Sequence, residues 1–361
     1  MTDEHPNMDD ENLLEVDGLR QYFPIRRGLF NRVAAHVKAV DDVSFHLRQG
    51  ETLGLVGESG SGKTTVGRCI VRLYTPHAGR IWFRADTGPV EVSGLSKAQL
   101  RPIRRQIQML FQDPNSSLDA RMRVGDIIAE PLEIHGIGNR RSRQERVELL
   151  LQQVGLSVET INRYPHQLSG GQRQRIGVAR ALSIAPRLII CDEPVSALDV
   201  SVQAQVLNLL ADLQKELGLT YIFIAHDLSV VEYISSRVLV LYLGRIVESA
   251  PTSKIFTRPT HPYTEALLNA IPKRSVGGYR RRIVLTGDLP SPVNPPSGCV
   301  FHTRCKYAQD RCRSEIPTLR PFQDDLQTLS ACHFAGQLEL QPFFSEPLPI
   351  QSASFYDPSH H

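Results

Sequence analysis

Three short runs in this chain have residue types suited to phosphate chemistry. The run GESGSGKTT, Gly57 to Thr65, fits the pattern G-x-x-x-x-G-K-[ST]. Its glycines permit tight positive-φ turns, so several backbone N–H groups can face one phosphate chain. Lys63 supplies a cation for terminal phosphates, and Thr64 a hydroxyl suited to Mg²⁺. Further on, LIICDEP places Asp192 and Glu193 where an apolar run ends. An Asp in that position holds Mg²⁺ directly or through water, and an adjacent acid can orient and deprotonate an attacking water. The third run, LSGGQ, spans Leu168 to Gln172 and opens the helix-like stretch GGQRQRIGVARAL. Ser169 and Gly171 can offer a hydroxyl and a backbone N–H to an anion, with the positive end of a helix behind them. Each run alone also has a plainer reading, as a Gly-rich turn, a solvated acidic turn or an ordinary Ser N-cap. Their joint occurrence favours the phosphate reading.

A fourth constellation is made of sulfur. Cys299, Cys305, Cys312 and Cys332 follow the spacing C-x5-C-x6-C-x19-C. Four thiolates can complete a tetrahedral zinc site or hold an iron–sulfur cluster, with His302 and His333 as neighbouring substitutes. In a chain expected to be cytosolic, such clustering points to metal ahead of disulfides. Cys69 and Cys191 lie within apolar segments and read as small core residues.

These groups need elements to position them. TLGLV (52–56) is a continuous apolar run before the Gly-rich loop, the pattern of a buried parallel strand, and VGRCIVRLY after it has helical character. Alternation from Leu13 past Phe23, the turn RRGLFNR and the strand-like VKAVDDVSFHL predict a hairpin. LIIC (188–191), TYIFIA (220–225) and RVLVLYL (237–243) read as further strands. Val147, Leu150, Leu151 and Val154 form one helical stripe stopped by Gly155, and an amphipathic helix from Val202 to Leu217 stops at Gly218. The alternation predicts an α/β fold with a mostly parallel sheet covered by helices on both faces. After Pro272 the chain becomes dense in Pro and Gly, as in a linker or a small irregular module.

The totals bound the function. The 361 residues suffice for one large domain and a small one, and the formal charge of +3 gives no general case for nucleic acid. The basic runs RPIRR (101–105), NRRSRQER (139–146) and YRRR (279–282) read as solvated faces. Apolar stretches such as Val238 to Leu243 fall short of the ~20 residues of a membrane helix. The acidic N-terminus has no signal-peptide core. The expectation is a soluble cytosolic chain that reaches any membrane through partners.

The motifs also come in a fixed order: GESGSGKTT, Gln112 in FQDP, LSGGQ, LIICDEP, SALD and His226 in IAHD. In this the sequence resembles the nucleotide-binding subunits of ABC transporters over roughly residues 13–270. The resemblance implies a P-loop NTPase fold: a RecA-like, mostly parallel sheet, an antiparallel β subdomain and a helical subdomain at about 115–185. It implies ATP and Mg²⁺ on Gly57, Ser59, Gly60, Ser61, Gly62, Lys63, Thr64 and Thr65. Metal contacts are implied for Thr64, Gln112 and Asp192. Glu193 becomes the general base, His226 the contact to the γ-phosphate, and Gln112 a group that also senses the membrane partner. Ser196 to Asp199 become the loop that communicates across a dimer. Ser169, Gly170, Gly171 and Gln172 then act on ATP held by a second cassette. An aromatic residue should stack on adenine, Phe23 first and Tyr22 as the near alternative.

FPIRRGLF, RYPHQLSGGQRQRIGVARAL, DEPVSALDVSVQAQVLNLL and HPYTEALLNAIP narrow the likeness to dipeptide/oligopeptide importer ATPases, to about His333. This resemblance implies ATP-driven peptide uptake at the cytoplasmic face of the membrane. Implied partners are a second cassette, different rather than identical, two permease subunits and an extracytoplasmic peptide-binding protein. It also implies a 4Fe-4S cluster, ahead of zinc, on Cys299, Cys305, Cys312 and Cys332. Lys306 stands where that group usually has Pro. The expected division is a polar tail at 1–11, the nucleotide-binding domain at 12–272, the extension at 273–340 and a tail at 341–361. The rival class is a soluble ABC ATPase acting on nucleic acid or ribosomes. Such chains usually carry two cassettes or a long coiled coil, and this sequence has neither.

Overall fold

The computed structural model describes residues 8–28, 30–113, 117–271 and 288–344. The YRRR run, most of the two expected tails and the start of the extension lie outside them. Strands β1 (Asn12–Arg27) and β2 (Arg32–Arg48) form the expected long hairpin. Its turn is set by Gly28 and Asn31, at φ 78° and 50°. Strand β3 (Thr52–Val56) leads through the Gly-rich loop into α1 (Lys63–Ile70). That helix stops short of Tyr74 because Arg72 turns left-handed at φ 55°. The N–H groups of Leu73 and Tyr74 both bond back to Arg68 O, which closes the last turn.

Strands β4 (Ala78–Ala85) and β5 (Gly88–Glu91) complete an antiparallel sheet in the order β2-β1-β4-β5. Helix α2 (Lys97–Gln106) and β6 (Ile107–Leu110) follow, then α3 (Val124–Ile134), α4 (Arg140–Gln153) and α5 (Gly170–Leu182). The stripe expected on α4 is buried, and Gly155 ends it at φ 70°. The arginines of RPIRR, on α2, are exposed, and those of NRRSRQER, on α4, are exposed or partly so, as solvated faces require.

The chain continues through β7 (Leu188–Asp192), α6 (Val200–Leu217), β8 (Thr220–Ala225), α7 (Leu228–Ile234), β9 (Arg237–Tyr242) and β10 (Arg245–Pro251). Helices α8 (Thr252–Thr257), α9 (Pro262–Ala270) and α10 (Asp310–Ser314) and strands β11 (Arg320–Phe322) and β12 (Asp325–Ser330) follow. The main sheet runs β11-β12-β10-β9-β3-β8-β7-β6. From β9 to β6 it is parallel, and β10, β12 and β11 extend it antiparallel.

Both faces of this sheet are covered, which explains why its strands read as unbroken apolar runs. On β8, Tyr221 and Phe223 join the core shared with α5, α6 and α7, while Ile222 and Ile224 join the core shared with α1 and the antiparallel sheet. On β7, Ile189 and Cys191 divide from Leu188 and Ile190 in the same way. The C-terminal region is less irregular than its composition suggests. Strand β12 pairs with β10, Glu248 facing Ser330 and Ser249 facing Leu329, so this region widens the main sheet.

Candidate functional site

The loop Gly57–Thr65 leaves the carboxyl end of β3, where a parallel sheet presents ligands. Gly57 and Gly62 have φ of 152° and 105°. A Cβ at Gly57 would stand 2.2 Å from Leu241 O, and one at Gly62 would stand 2.2 Å from Ala39 O. Backbone packs so closely there that only hydrogen fits. Gly62 also caps α1 without a side chain, so its first turn keeps N–H groups for another acceptor. Lys63 is buried, and burial lowers its ammonium pKa. Its Nζ donates to Gly57 O at 2.7 Å, Glu58 O at 2.9 Å and Ser61 Oγ at 3.3 Å.

Strand β7 delivers both acids to this loop. Thr64 Oγ1 donates to Asp192 Oδ1 at 2.7 Å, which joins the two residues expected at Mg²⁺. Asp192 is 1% exposed, and that burial raises its carboxyl pKa. Glu193 is left-handed at φ 46°, and its N–H donates to Ile224 O at 3.0 Å. A bulky residue holds that conformation only where its surroundings enforce it. The effect is to end β7 abruptly while the side chain stays largely covered. Gln112 Nε2 donates to Glu193 Oε2 at 2.8 Å, and His226 Nδ1 lies 3.2 Å from the same oxygen. Three residues from three separate strand ends thus meet on one carboxylate.

The LSGGQ run sits elsewhere. Ser169 caps α5 in a box with Gln172: Gln172 N donates to Ser169 Oγ at 3.3 Å and Ser169 N to Gln172 Oε1 at 3.0 Å. Ser169 is exposed. Among the described residues, no hydrogen bond joins Ser169–Gln172 to the phosphate loop. Gly170 and Gly171 instead let α5 approach the SALD segment and α6. A Cβ at Gly170 would lie 3.2 Å from Leu198 Cδ2, and one at Gly171 only 2.5 Å from Val202 Cγ1. Asp199 caps α6 with no side-chain bond to it and is exposed. Gly171→Ala should therefore lower the thermal midpoint by several degrees. Overpacking typically costs about 1–3 kcal/mol, against a helix-propensity gain of about 1. Adding Val202→Ala should recover the loss. An unchanged midpoint in Gly171→Ala would contradict this contact.

Phe23 is half-buried and packs edge-on against Tyr74, centroids 5.2 Å apart. Tyr22 is tied into the hairpin. Its hydroxyl donates to Asp41 Oδ1, burial pushes its pKa up to about 12, and Arg245 holds Asp41 at 2.7 Å.

Cys299, Cys305, Cys312 and Cys332 border one cavity, together with Phe301 and Phe334. Burial pushes the Cys305 thiol up to about 12 and the Cys332 thiol up to about 11, and neighbouring cysteines add to both. Among the described residues, no group of three or more His, Cys, Asp or Glu is arranged to hold a metal ion. His302 and His333 are also turned to backbone, Nδ1 of the first to Cys299 O at 2.9 Å and Nε2 of the second to Glu315 O at 3.0 Å. Cys69 and Cys191 are core residues, as expected.

The sequence reading missed one part of the site. Glu58, inside the phosphate loop, makes a two-pronged ion pair with Arg304 at 2.6 and 3.0 Å. Its N–H donates to Tyr263 Oη at 2.7 Å. No motif spacing links these residues, and the partners stand 246 and 205 positions away.

Comparison with known proteins agrees with this geometry. Residues 40–196 match the ABC transporter family model, and residues 247–312 match the model of the oligopeptide/dipeptide transporter C-terminal region. The dimeric ATP-binding cassette MJ0796, solved in a post-hydrolysis state with ADP and Pi, superposes with a TM-score of 0.58 at 27% identity. That match covers 66% of this chain and 98% of the cassette. CbiO1 from Clostridium perfringens gives 0.57 at 26% identity, over 68% and 91%. The fold and the loop define an ABC-type ATPase. More narrowly, the chain belongs to the ATP-binding subunits of the oligopeptide/dipeptide ABC transporter family. It is 54% identical to the oligopeptide transport ATP-binding protein AppF of Bacillus subtilis, over 86% of this chain and 94% of that one. It is 50% identical to the dipeptide transport ATP-binding protein DppF of Haemophilus influenzae, over the same shares.

Proposed function

We propose that this chain hydrolyses ATP to drive peptide uptake by a membrane importer, as one of two cassettes that close around nucleotide. The meeting of Gln112 and His226 on Glu193, beside the Thr64–Asp192 pair, carries the reading. Lys63 exchanges the carbonyls of Gly57 and Glu58 for terminal phosphate oxygens. The loop glycines and the first turn of α1 supply further N–H donors. Thr64, Asp192 and Gln112 would hold Mg²⁺, which neutralises phosphate charge when bound. Glu193 takes the proton of the attacking water, with Gln112 and His226 fixing its carboxylate and His226 reaching the γ-phosphate. Phe23 stacks on adenine, since Tyr22 is committed to Asp41. Catalysis is by positioning and charge stabilisation.

The site is completed in trans. Ser169–Gln172 of one cassette face the ATP of the other, and Asp199 lies at the seam. Supporting this, Ser169 is exposed, and Val200 beside Asp199 leaves 82% of its surface open. The partner is a second, different cassette of the same family. No helix among the described residues is long and apolar enough to cross a membrane. Two permease subunits therefore supply the pathway, and an extracytoplasmic peptide-binding protein delivers cargo, with this chain on the cytoplasmic face. The groove beside Gln112, lined by Phe111, Pro131 and Ile134, is the seat for a permease segment. Co-expression with permease subunits and reconstitution into vesicles tests the reading. ATP hydrolysis should rise when binding protein and peptide are added. Stimulation by nucleic acid or ribosomes in place of peptide would overturn it.

The four-cysteine pocket holds a 4Fe-4S cluster in a structural role. Support comes from the donor set, four cysteines bordering one shared cavity. The cluster would cross-link the loops of the C-terminal region. Anaerobically purified protein should carry about four irons per chain with broad visible absorption, and Cys305→Ser should lose both. One equivalent of zinc without iron would reject the cluster.

A further inference from the structure

The phosphate loop contains one acid, Glu58, in a place where acid is unwelcome. A carboxylate beside bound triphosphate repels it, and the low dielectric of a covered site strengthens the repulsion. Arg304 meets this acid with two parallel bonds, at 2.6 and 3.0 Å. The Arg304 side chain is 6% exposed and the Glu58 side chain 28%, so solvent screens the pair only in part. The Glu58 bond holds the Arg304 proton more firmly than usual. Arg304 also lies over the Tyr242 ring, 5.9 Å from its centroid. Tyr263 Oη accepts the Glu58 N–H at 2.7 Å, so backbone and side chain of the residue are both held. The loop is touched again at Gly60, where a Cβ would lie 3.7 Å from Leu289 Cδ2. All of these contacts except Tyr242 come from the region after β10, and Arg304 directly precedes Cys305.

We propose that Arg304 is a positioning residue for ATP: it neutralises Glu58 and ties the first turn of the phosphate loop to the four-cysteine region. This rests on the reading of Gly57–Thr65 as the triphosphate site. Removing the arginine would leave a free carboxylate beside the phosphates, and affinity would fall more than the rate of the bound complex. The C-terminal region thereby sets nucleotide affinity without touching nucleotide.

The test measures the Kd of the full-length chain for the magnesium complex of a non-hydrolysable ATP analogue, together with KM and kcat for ATP. Arg304→Ala should weaken binding about tenfold, within the ~5–150-fold typical of coupled sites, and raise KM with little change in kcat. Adding Glu58→Gln should restore most of the affinity, because the repelling charge is gone. A merely structural role for Arg304 would not be repaired that way. Arg304→Lys should keep part of the affinity, holding the charge without the fork, and it carries the test where the alanine variant does not fold. Analogue binding within twofold of wild type in the single variant, or a loss that persists in full with Glu58→Gln, would overturn the proposal. Absence of binding by the wild-type chain would sink the nucleotide reading instead.

Discussion

Glu193→Gln should bind MgATP as tightly as the wild-type chain, or more tightly, and hydrolyse it about 10²–10⁴-fold more slowly. The geometry makes this substitution narrow in effect. Glutamine keeps one oxygen that can stand where Oε2 does, accepting from the Gln112 amide, now at 2.8 Å, and facing the His226 ring nitrogen, now 3.2 Å from that same atom. What disappears is the proton acceptor, together with a negative charge beside the γ-phosphate. The left-handed backbone at φ 46° is as accessible to Gln as to Glu, so the chain should still fold. With turnover stopped and binding intact, the paired cassettes should remain closed on ATP. Size exclusion with ATP and Mg²⁺, alongside a phosphate-release assay, reads both effects. Hydrolysis near the wild-type rate would remove Glu193 as the base.

Lys63→Ala should fail at the preceding step. A hydrogen bond to a charged group typically contributes about 1.5–3 kcal/mol, so losing the ammonium should weaken ATP binding by about 10–150-fold. The loss should spread to the metal position. Lys63 is among the charges that favour the ionised form of Asp192, so its removal pushes an already raised carboxyl pKa further up. The fold should suffer less. Burial opposes the Lys63 charge, and its present partners are carbonyls and a hydroxyl of the loop itself. Equilibrium binding should therefore show a large loss while the thermal midpoint moves by only a few degrees. Binding within about twofold of wild type would exclude Lys63 from the triphosphate site.

These variants and Arg304→Ala separate three steps at one locus. In the proposed scheme Lys63 holds the phosphates, Glu193 acts on the water, and Arg304 silences an acid within the loop. Gly171→Ala reports on the separate packing of α5 against α6. Only the Glu193 change should leave affinity intact while turnover falls.

Much of this was legible in the sequence wherever the physics is local. The phosphate loop is a strand, a set of positive-φ glycines and a helix start within a few residues. TLGLV and TYIFIA gave the strand bounds directly, because burial on both faces leaves unbroken apolar runs. Gly155 and Gly218 marked the ends of α4 and α6 because a left-handed residue after a helix favours glycine. Elsewhere the local signal misled. VGRCIVRLY looked helical to Tyr74, but Arg72 breaks the helix and anchors its guanidinium on Val92 O and Leu95 O, which only the folded chain supplies. The cysteine spacing supplied four sulfur donors but could not fix how their loops converge.

By itself, then, the sequence determined the chemistry available: a phosphate cradle, paired acids, a capped Ser-Gly-Gly turn and four thiols, each specified by short-range φ and hydrogen-bond constraints. Only the tertiary structure decided which of them meet. It brought Gln112 and His226 onto Glu193, kept Ser169 away from its own loop, joined β12 to β10 and set Arg304 on Glu58 across 246 positions. Such meetings depend on strand register and on closing long loops. Their entropic cost is met by the whole core together, so no short window of sequence records them.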